Sequence, residues 1–186
     1  MFRRIHWIAV IVLISRSGLH SIAEAANEDA KKRTDNANSL IKEYQGKLKF
    51  SCSSFWPTWG PEKAFDGKPL TSWFTARGDA AAFGKKPWIA VDFPQAVTVR
   101  RVTLLSNREP PWQTGYTILV GRLELLDKKG KVLFSREDEV GGERPDMEAR
   151  PSMPILGVHK IRFTSLSDEG DKNRYDDVAI GEILVE

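Results

Sequence analysis

Cysteine and histidine are scarce in this chain, with one and three respectively in 186 residues. A lone Cys52 cannot close a disulfide within the chain, and a structural zinc site needs four Cys/His ligands. His6 and His20 lie in a segment read below as an export signal. That leaves His159 as the sole imidazole for any Cys-His or Ser-His nucleophilic site. Long hydrophobic runs are missing as well. The longest, Trp7-Ile-Ala-Val-Ile-Val-Leu-Ile14, is too short to span a bilayer as a helix, which takes about 20 residues. Charge of one sign is also lacking: 28 Lys+Arg face 25 Asp+Glu, evenly mixed and without the basic stripe of a nucleic-acid binder. Nothing resembles a phosphate-cradling glycine loop.

What is present begins with a tripartite N-terminus. Arg3 and Arg4 give a positive start, residues 7–14 an apolar stretch, and Ala23-Glu24-Ala25 a small-x-small ending. Together these predict a secretory signal peptide over residues 1–25, cleaved after Ala25, and hence a secreted or periplasmic protein. Its removal takes Arg3, Arg4, Arg16 and Glu24, so the formal charge of +3 falls close to neutral. Export into an oxidising space permits disulfides, yet Cys52 has no partner in the chain and is expected to be a buried free thiol. The fold must then stand on its own core. A composition of 41% hydrophobic and 28% charged residues suits one folded domain.

Residues 26–49 read as a polar leader with a weak helical stripe (Ala37, Leu40, Ile41, Tyr44) stopped by Gly46. From residue 50 to 186 the pattern becomes short β-rich runs punctuated by Gly and Pro. Trp88-Ile-Ala-Val-Asp-Phe93 alternates, placing Ile89, Val91 and Phe93 on one face. Residues 97–105 alternate too, with a phase slip at Arg100-Arg101 that predicts a β-bulge. Residues 123–126 and 131–135 flank Asp127-Lys-Lys-Gly130 and predict a hairpin. Residues 158–163 and 179–185 complete the strands, whereas residues 136–150 read as a mobile connection. The expected fold is an all-β antiparallel sandwich or jelly roll.

One loop concentrates oxygen ligands: Pro61-Glu-Lys-Ala-Phe-Asp-Gly-Lys-Pro-Leu-Thr-Ser-Trp73. Asp66-Gly67 turns the chain, Trp73 reads as a core anchor, and the curl offers hard oxygens of the type calcium prefers. Ala64-Phe-Asp-Gly67, Thr71-Ser-Trp73, residues 88–93, residues 99–104 and Ile180-Gly-Glu-Ile-Leu184, in that order, resemble the discoidin or coagulation factor 5/8 type C domain. That group includes galactose-binding-like, family 32 carbohydrate-binding modules. The resemblance implies an eight-stranded jelly-roll sandwich with binding loops at one end. It also implies a structural calcium held by the carbonyls of Lys63, Lys68 and Gly181, the carboxylates of Asp66 and Glu182, and Thr71. A hydrogen-bonded Asp-Gly turn without an ion is the plainer reading of the same loop.

Sugar sites pair aromatic stacking surfaces with a few polar groups. The candidates are Trp56 and Trp59, Phe74, and Trp112 in a Pro-flanked loop. The resemblance adds Arg108, which falls where such modules often carry a sugar-contacting arginine. The chain departs from the galactose-binding pattern in lacking a histidine beside that arginine, and it lacks the disulfide of the animal coagulation-type domains. The acidic stretch at residues 168–177 reads as a solvated loop, with Asn173, Arg174 or Tyr175 able to add contacts. The expected function is non-catalytic binding of a glycan or glycoconjugate. The alternatives are an adhesive or structural module of this same fold that binds a cell-surface or matrix protein, membrane binding, which the near-neutral charge disfavours, and a glycosidase using carboxylates such as Asp168 and Asp176.

Overall fold

The computed structural model describes residues 39–140, 146–169 and 176–186. The segment expected to be a signal peptide, most of the leader, and Asn173, Arg174 and Tyr175 lie outside them. Nine strands run through the described residues: β1 (Lys49–Cys52), β2 (Trp73–Phe74), β3 (Trp88–Val99), β4 (Val102–Ser106), β5 (Ile118–Leu126), β6 (Val132–Glu139), β7 (Asp146–Ala149), β8 (Ile155–Asp168) and β9 (Ala179–Val185). They form a five-stranded sheet, ordered β1-β3-β8-β5-β6, and a four-stranded sheet, β2-β9-β4-β7. All pairings are antiparallel. The all-β sandwich is as expected, with two-residue β2 bringing the count to nine rather than eight. No helix among the described residues is long and apolar enough to cross a membrane.

The core follows from strand alternation in register. On the five-stranded sheet, Ile89, Phe163 and Leu123 form one inward row and Val91, Ile161 and Leu125 the next. The four-stranded sheet answers with Met147, Leu104 and Ile183, then Ala149, Val102 and Val185. All twelve are buried, and each large aliphatic side chain so placed contributes about 1.5–3 kcal/mol relative to exposure. Trp73 is buried among them as the core anchor. Gly121 on β5 is required by packing, because a Cβ there would overlap the Phe163 ring.

Two local expectations need correction. The phase slip at Arg100-Arg101 is a corner, not a bulge: the chain leaves the five-stranded sheet at Val99 and enters the four-stranded one at Val102. The backbone N–H groups of Arg100 and Arg101 both donate to the Glu186 carbonyl, at 2.6 and 3.1 Å. Within residues 136–150, β6 extends to Glu139 and β7 begins at Asp146, so the described part of that stretch is mostly strand; residues 141–145 lie outside the described residues. The leader ends in a helix, α1 (Ser39–Glu43), whose Ile41 is buried in the core. Leu40 and Tyr44 pack against the same core, so the weak helical stripe read in the leader is a docked turn.

The Asp127 hairpin forms as expected. The Asp127 carboxylate accepts the N–H groups of Lys129 and Lys131 at 2.8 and 2.9 Å, and the Lys131 N–H in particular holds its pKa below the usual value. Cys52 is a free thiol, half-buried rather than fully so, with its pKa raised chiefly by burial.

Candidate functional site

A cavity of about 430 Å³ opens between the loop after β1, the loop joining β4 to β5, and the segment entering β9. Its walls are mostly aromatic. The first loop is pinned to β2 by its backbone: the Trp56 N–H donates to the Phe74 carbonyl at 3.2 Å and the Phe74 N–H to the Trp59 carbonyl at 3.3 Å. This brings Trp56 and Trp59 to the same opening. Phe74 lies beneath them, 3% exposed, edge-on to Trp59 at 5.6 Å and to Tyr116 at 4.9 Å between centroids.

The opposite wall comes from the loop after β4. Asn107 braces it: its Oδ1 accepts the Ser72 hydroxyl at 2.8 Å and the Glu109 N–H at 3.0 Å, and its Nδ2 donates to the Trp112 carbonyl at 2.5 Å. Trp112, 37% exposed, is thereby held at the rim. A cis bond joins Pro110 and Pro111 in the same loop.

Two carboxylates sit behind the rings. The Trp56 Nε1–H donates to Asp177 Oδ2 at 2.9 Å, and the Trp59 Nε1–H donates to Glu109 Oε1 at 2.7 Å. Asp177 is 2% exposed and lines the cavity. Burial pushes its pKa up to about 6, opposed by the Trp56 bond; nearby Asp176 adds to the rise and Arg77 offsets part of it. Arg77 stands at the cavity edge with Nε 3.5 Å from Asp176 Oδ2. Asp176 adopts a left-handed φ of 61°, a conformation Asp tolerates better than most residues, and its carbonyl accepts the Gly78 N–H at 2.7 Å.

Trp56, Trp59, Phe74 and Trp112, singled out from the sequence, therefore converge on one cavity. Arg108 does not line it. Its Nη2 contacts both oxygens of Asp146 on β7, at 2.8 and 2.7 Å, so the arginine at the cavity is Arg77. Sequence reasoning missed Arg77, Tyr116 and Asp177, and the last corrects the reading of residues 168–177 as solvated throughout. Asp168 is buried too and accepts the Ala82 N–H at 3.3 Å. The one signal available for Asp177 was its place two residues before β9, a strand buried along its whole length.

The oxygen-rich loop lies elsewhere. Asp66 Oδ1 accepts the Lys68 N–H at 2.9 Å and the Thr71 hydroxyl at 3.0 Å, and that hydroxyl also lies 2.9 Å from the Lys68 carbonyl. Gly67, at φ 75°, donates its N–H to Glu182 Oε1 at 3.0 Å, joining this loop to β9. Glu182 is completely buried, and its Oε2 has no hydrogen-bond partner. Burial pushes its pKa up to about 8, with the Gly67 N–H opposing and Asp66 adding. Among the described residues, no three His, Cys, Asp or Glu side chains gather as a metal cluster. An orphaned buried carboxylate oxygen near a second carboxylate, a hydroxyl and a carbonyl nevertheless fits a hard cation.

The family model for the F5/8 type C domain matches residues 49–125. No curated protein is significantly similar in sequence. Among solved structures, the family 32 carbohydrate-binding module of Clostridium perfringens NanJ, in complex with galactose, superposes with a TM-score of 0.61 at 17% identity, over 76% of this chain and 94% of that one. A fucose-binding module of Streptococcus pneumoniae gives 0.56 at 13%, over 75% and 93%. A chitosan-binding module from a chitosanase/glucanase of Paenibacillus sp. IK-5 gives 0.55 at 16%, over 74% and 93%. The match over residues 49–125 and these distant neighbours show the fold: a β-sandwich similar to the F5/8 type C domain and to family 32 carbohydrate-binding modules.

Proposed function

We propose that this chain is an exported, non-catalytic glycan-binding module whose site is the aromatic cavity, with a structural calcium at the loop of residues 66–71. The observation that carries the reading is the convergence of Trp56, Trp59, Tyr116 and Trp112 on a cavity of about 430 Å³. That size is within the range of small-ligand sites, about 300–1,000 Å³. Sugar rings present an apolar C–H face, and an indole beside them buries that face while polar groups at the edge fix hydroxyls. The solved neighbours in complex with galactose, or described as binding fucose or chitosan, lend support because those ligands share this chemistry.

In this reading the calcium ligands are the Asp66 and Glu182 carboxylates, the Thr71 hydroxyl and the carbonyls of Lys63, Lys68 and Gly181. The ion supplies charge compensation for Glu182 and a link between the loop and β9.

A glycan screen of the wild type beside Trp56→Ala, Trp112→Ala and Arg108→Ala tests the site. Loss of either tryptophan should weaken binding by about thirtyfold, the scale of a buried aromatic anchor. Arg108→Ala should change it little. Binding that ignores both tryptophan changes would remove the cavity from the account. Retention of a protein partner in excess sugar would favour the adhesive alternative.

A further inference from the structure

We infer that the chain carries a second binding site, a basic cleft on the outer face of the five-stranded sheet that takes an anionic polysaccharide, one bearing sulfate or carboxylate groups. The cleft encloses about 570 Å³, and its charged lining is Lys128, Lys129, Lys160, Arg162, Asp92 and Asp127. Strand alternation puts it on that face. Asp92, Lys160 and Arg162 alternate with the inward Val91 and Ile161, and Leu126 leads β5 into the Asp127 turn at the rim. β5 starts two residues after Tyr116 of the aromatic cavity and ends at Leu126 in the cleft. At about 3.3 Å per residue, the two sites lie roughly 30 Å apart.

Much of the charge in the cleft is already balanced, and the surplus resides in the turn. Lys160 Nζ lies 3.2 Å from Asp92 Oδ1, and Arg162 Nη2 lies 2.7 Å from Glu124 Oε2. The exposed Lys128, Lys129 and Lys131 face Asp127 alone, which leaves two positive charges over. The Asp127 carboxylate is moreover taken up by the backbone N–H groups of Lys129 and Lys131. Neither Lys128 nor Lys129 has an ion-pair partner among the described residues. Lys49, in register with Asp92 across β1, adds a further cation on the same face. Ammonium groups are donors only, so a ligand rich in anionic acceptors is what the cleft fits.

The cleft suits an acidic polysaccharide better than the other common polyanions. Phe93, the phenyl ring in its wall, is 5% exposed and offers no platform on which nucleic-acid bases could stack. Val132 is its one exposed large apolar side chain, too little to insert into a bilayer.

Titration calorimetry of the purified chain tests this with a dextran sulfate oligomer, oligogalacturonate and uncharged dextran of matched length. At least one charged oligomer should bind about tenfold more tightly than dextran, and its affinity should fall as salt rises. The double change Lys128→Ala/Lys129→Ala should remove about tenfold of that affinity. It leaves the backbone bonds to Asp127 in place, so the turn persists. Arg100→Ala/Arg150→Ala, an equal loss of charge at another cleft, should change the affinity little. Equal binding of charged and uncharged oligomers by the wild type overturns the inference. So does an equal loss in both double variants, which would mark attraction to charge anywhere on the surface. Tighter binding of phosphatidylglycerol vesicles or of oligothymidylate than of either acidic oligomer overturns the choice of partner. None of these outcomes bears on the aromatic cavity, whose test is the tryptophan series.

Discussion

Asp177 holds Trp56 in place from a position where an ionised carboxylate is poorly hydrated. Its folded pKa, pushed up to about 6, exceeds the unfolded Asp value, so folding takes up protons between those two limits. This group's contribution to stability is therefore full below the unfolded value and is lost as pH rises through about 6. Among the described residues, Asp176 adds to the rise and Arg77 offsets part of it. Asp177→Asn keeps an acceptor for the indole and removes the charge. It should raise the thermal midpoint by about 3 °C at pH 7, corresponding to about 1 kcal/mol after solvent screening. At pH 4 it should have little effect. Melting curves of the two proteins at both pH values check this, and a lower midpoint at pH 7 would assign the carboxylate a net structural role. At this scale the sequence shows which aromatic residues are candidates but not which arginine accompanies them. Arg77 and Arg108 both follow strand residues; only the pairing of β4 with β7 puts Asp146 within reach of Arg108.

The decisive elements are the loop of residues 66–71 and β9, joined by the bond from the Gly67 N–H to Glu182. All seven residues of β9 are buried, so Glu182 is enclosed by its strand's position in the middle of the sheet. If calcium binds there, it stabilises only the folded chain, by about 3 kcal/mol at a hundredfold excess over its dissociation constant. Chelation should then lower the thermal midpoint by about 10 °C, and Asp66→Ala should abolish the difference between chelated and calcium-loaded protein. An unchanged midpoint on chelation would leave a hydrogen-bonded turn in place of the ion. Strand alternation was readable because one face of each strand is buried; the corner at Arg100-Arg101 was not, since a bulge and a change of sheet produce the same slip in phase. Residues 136–150 misled for a related reason. Their mixed charges suit an edge strand such as β6, where most side chains face water.

The whole molecule is stabilised without a disulfide by rows of apolar residues drawn from both sheets. Ile161 sits in such a row between Val91 and Leu125. Ile161→Ala should cost about 2–5 kcal/mol through lost burial and the cavity left behind. Denaturant unfolding should show a lower midpoint with an unchanged slope. A loss well under 1 kcal/mol would mean that the sheets close over the gap. Class and topology were legible at this scale because the turn signals and inward rows are spread along the chain. The binding end was legible only in outline, because loops 50 or more residues apart meet there.

The same convergence gives the molecule a built-in optical reporter. Of the five tryptophans among the described residues, Trp56, Trp59 and Trp112 wall the cavity, whereas Trp73 is enclosed in the core. Ligand entry should therefore shift or quench the emission of the first group while Trp73 remains dark to it, so occupancy and unfolding can be followed by fluorescence without a label.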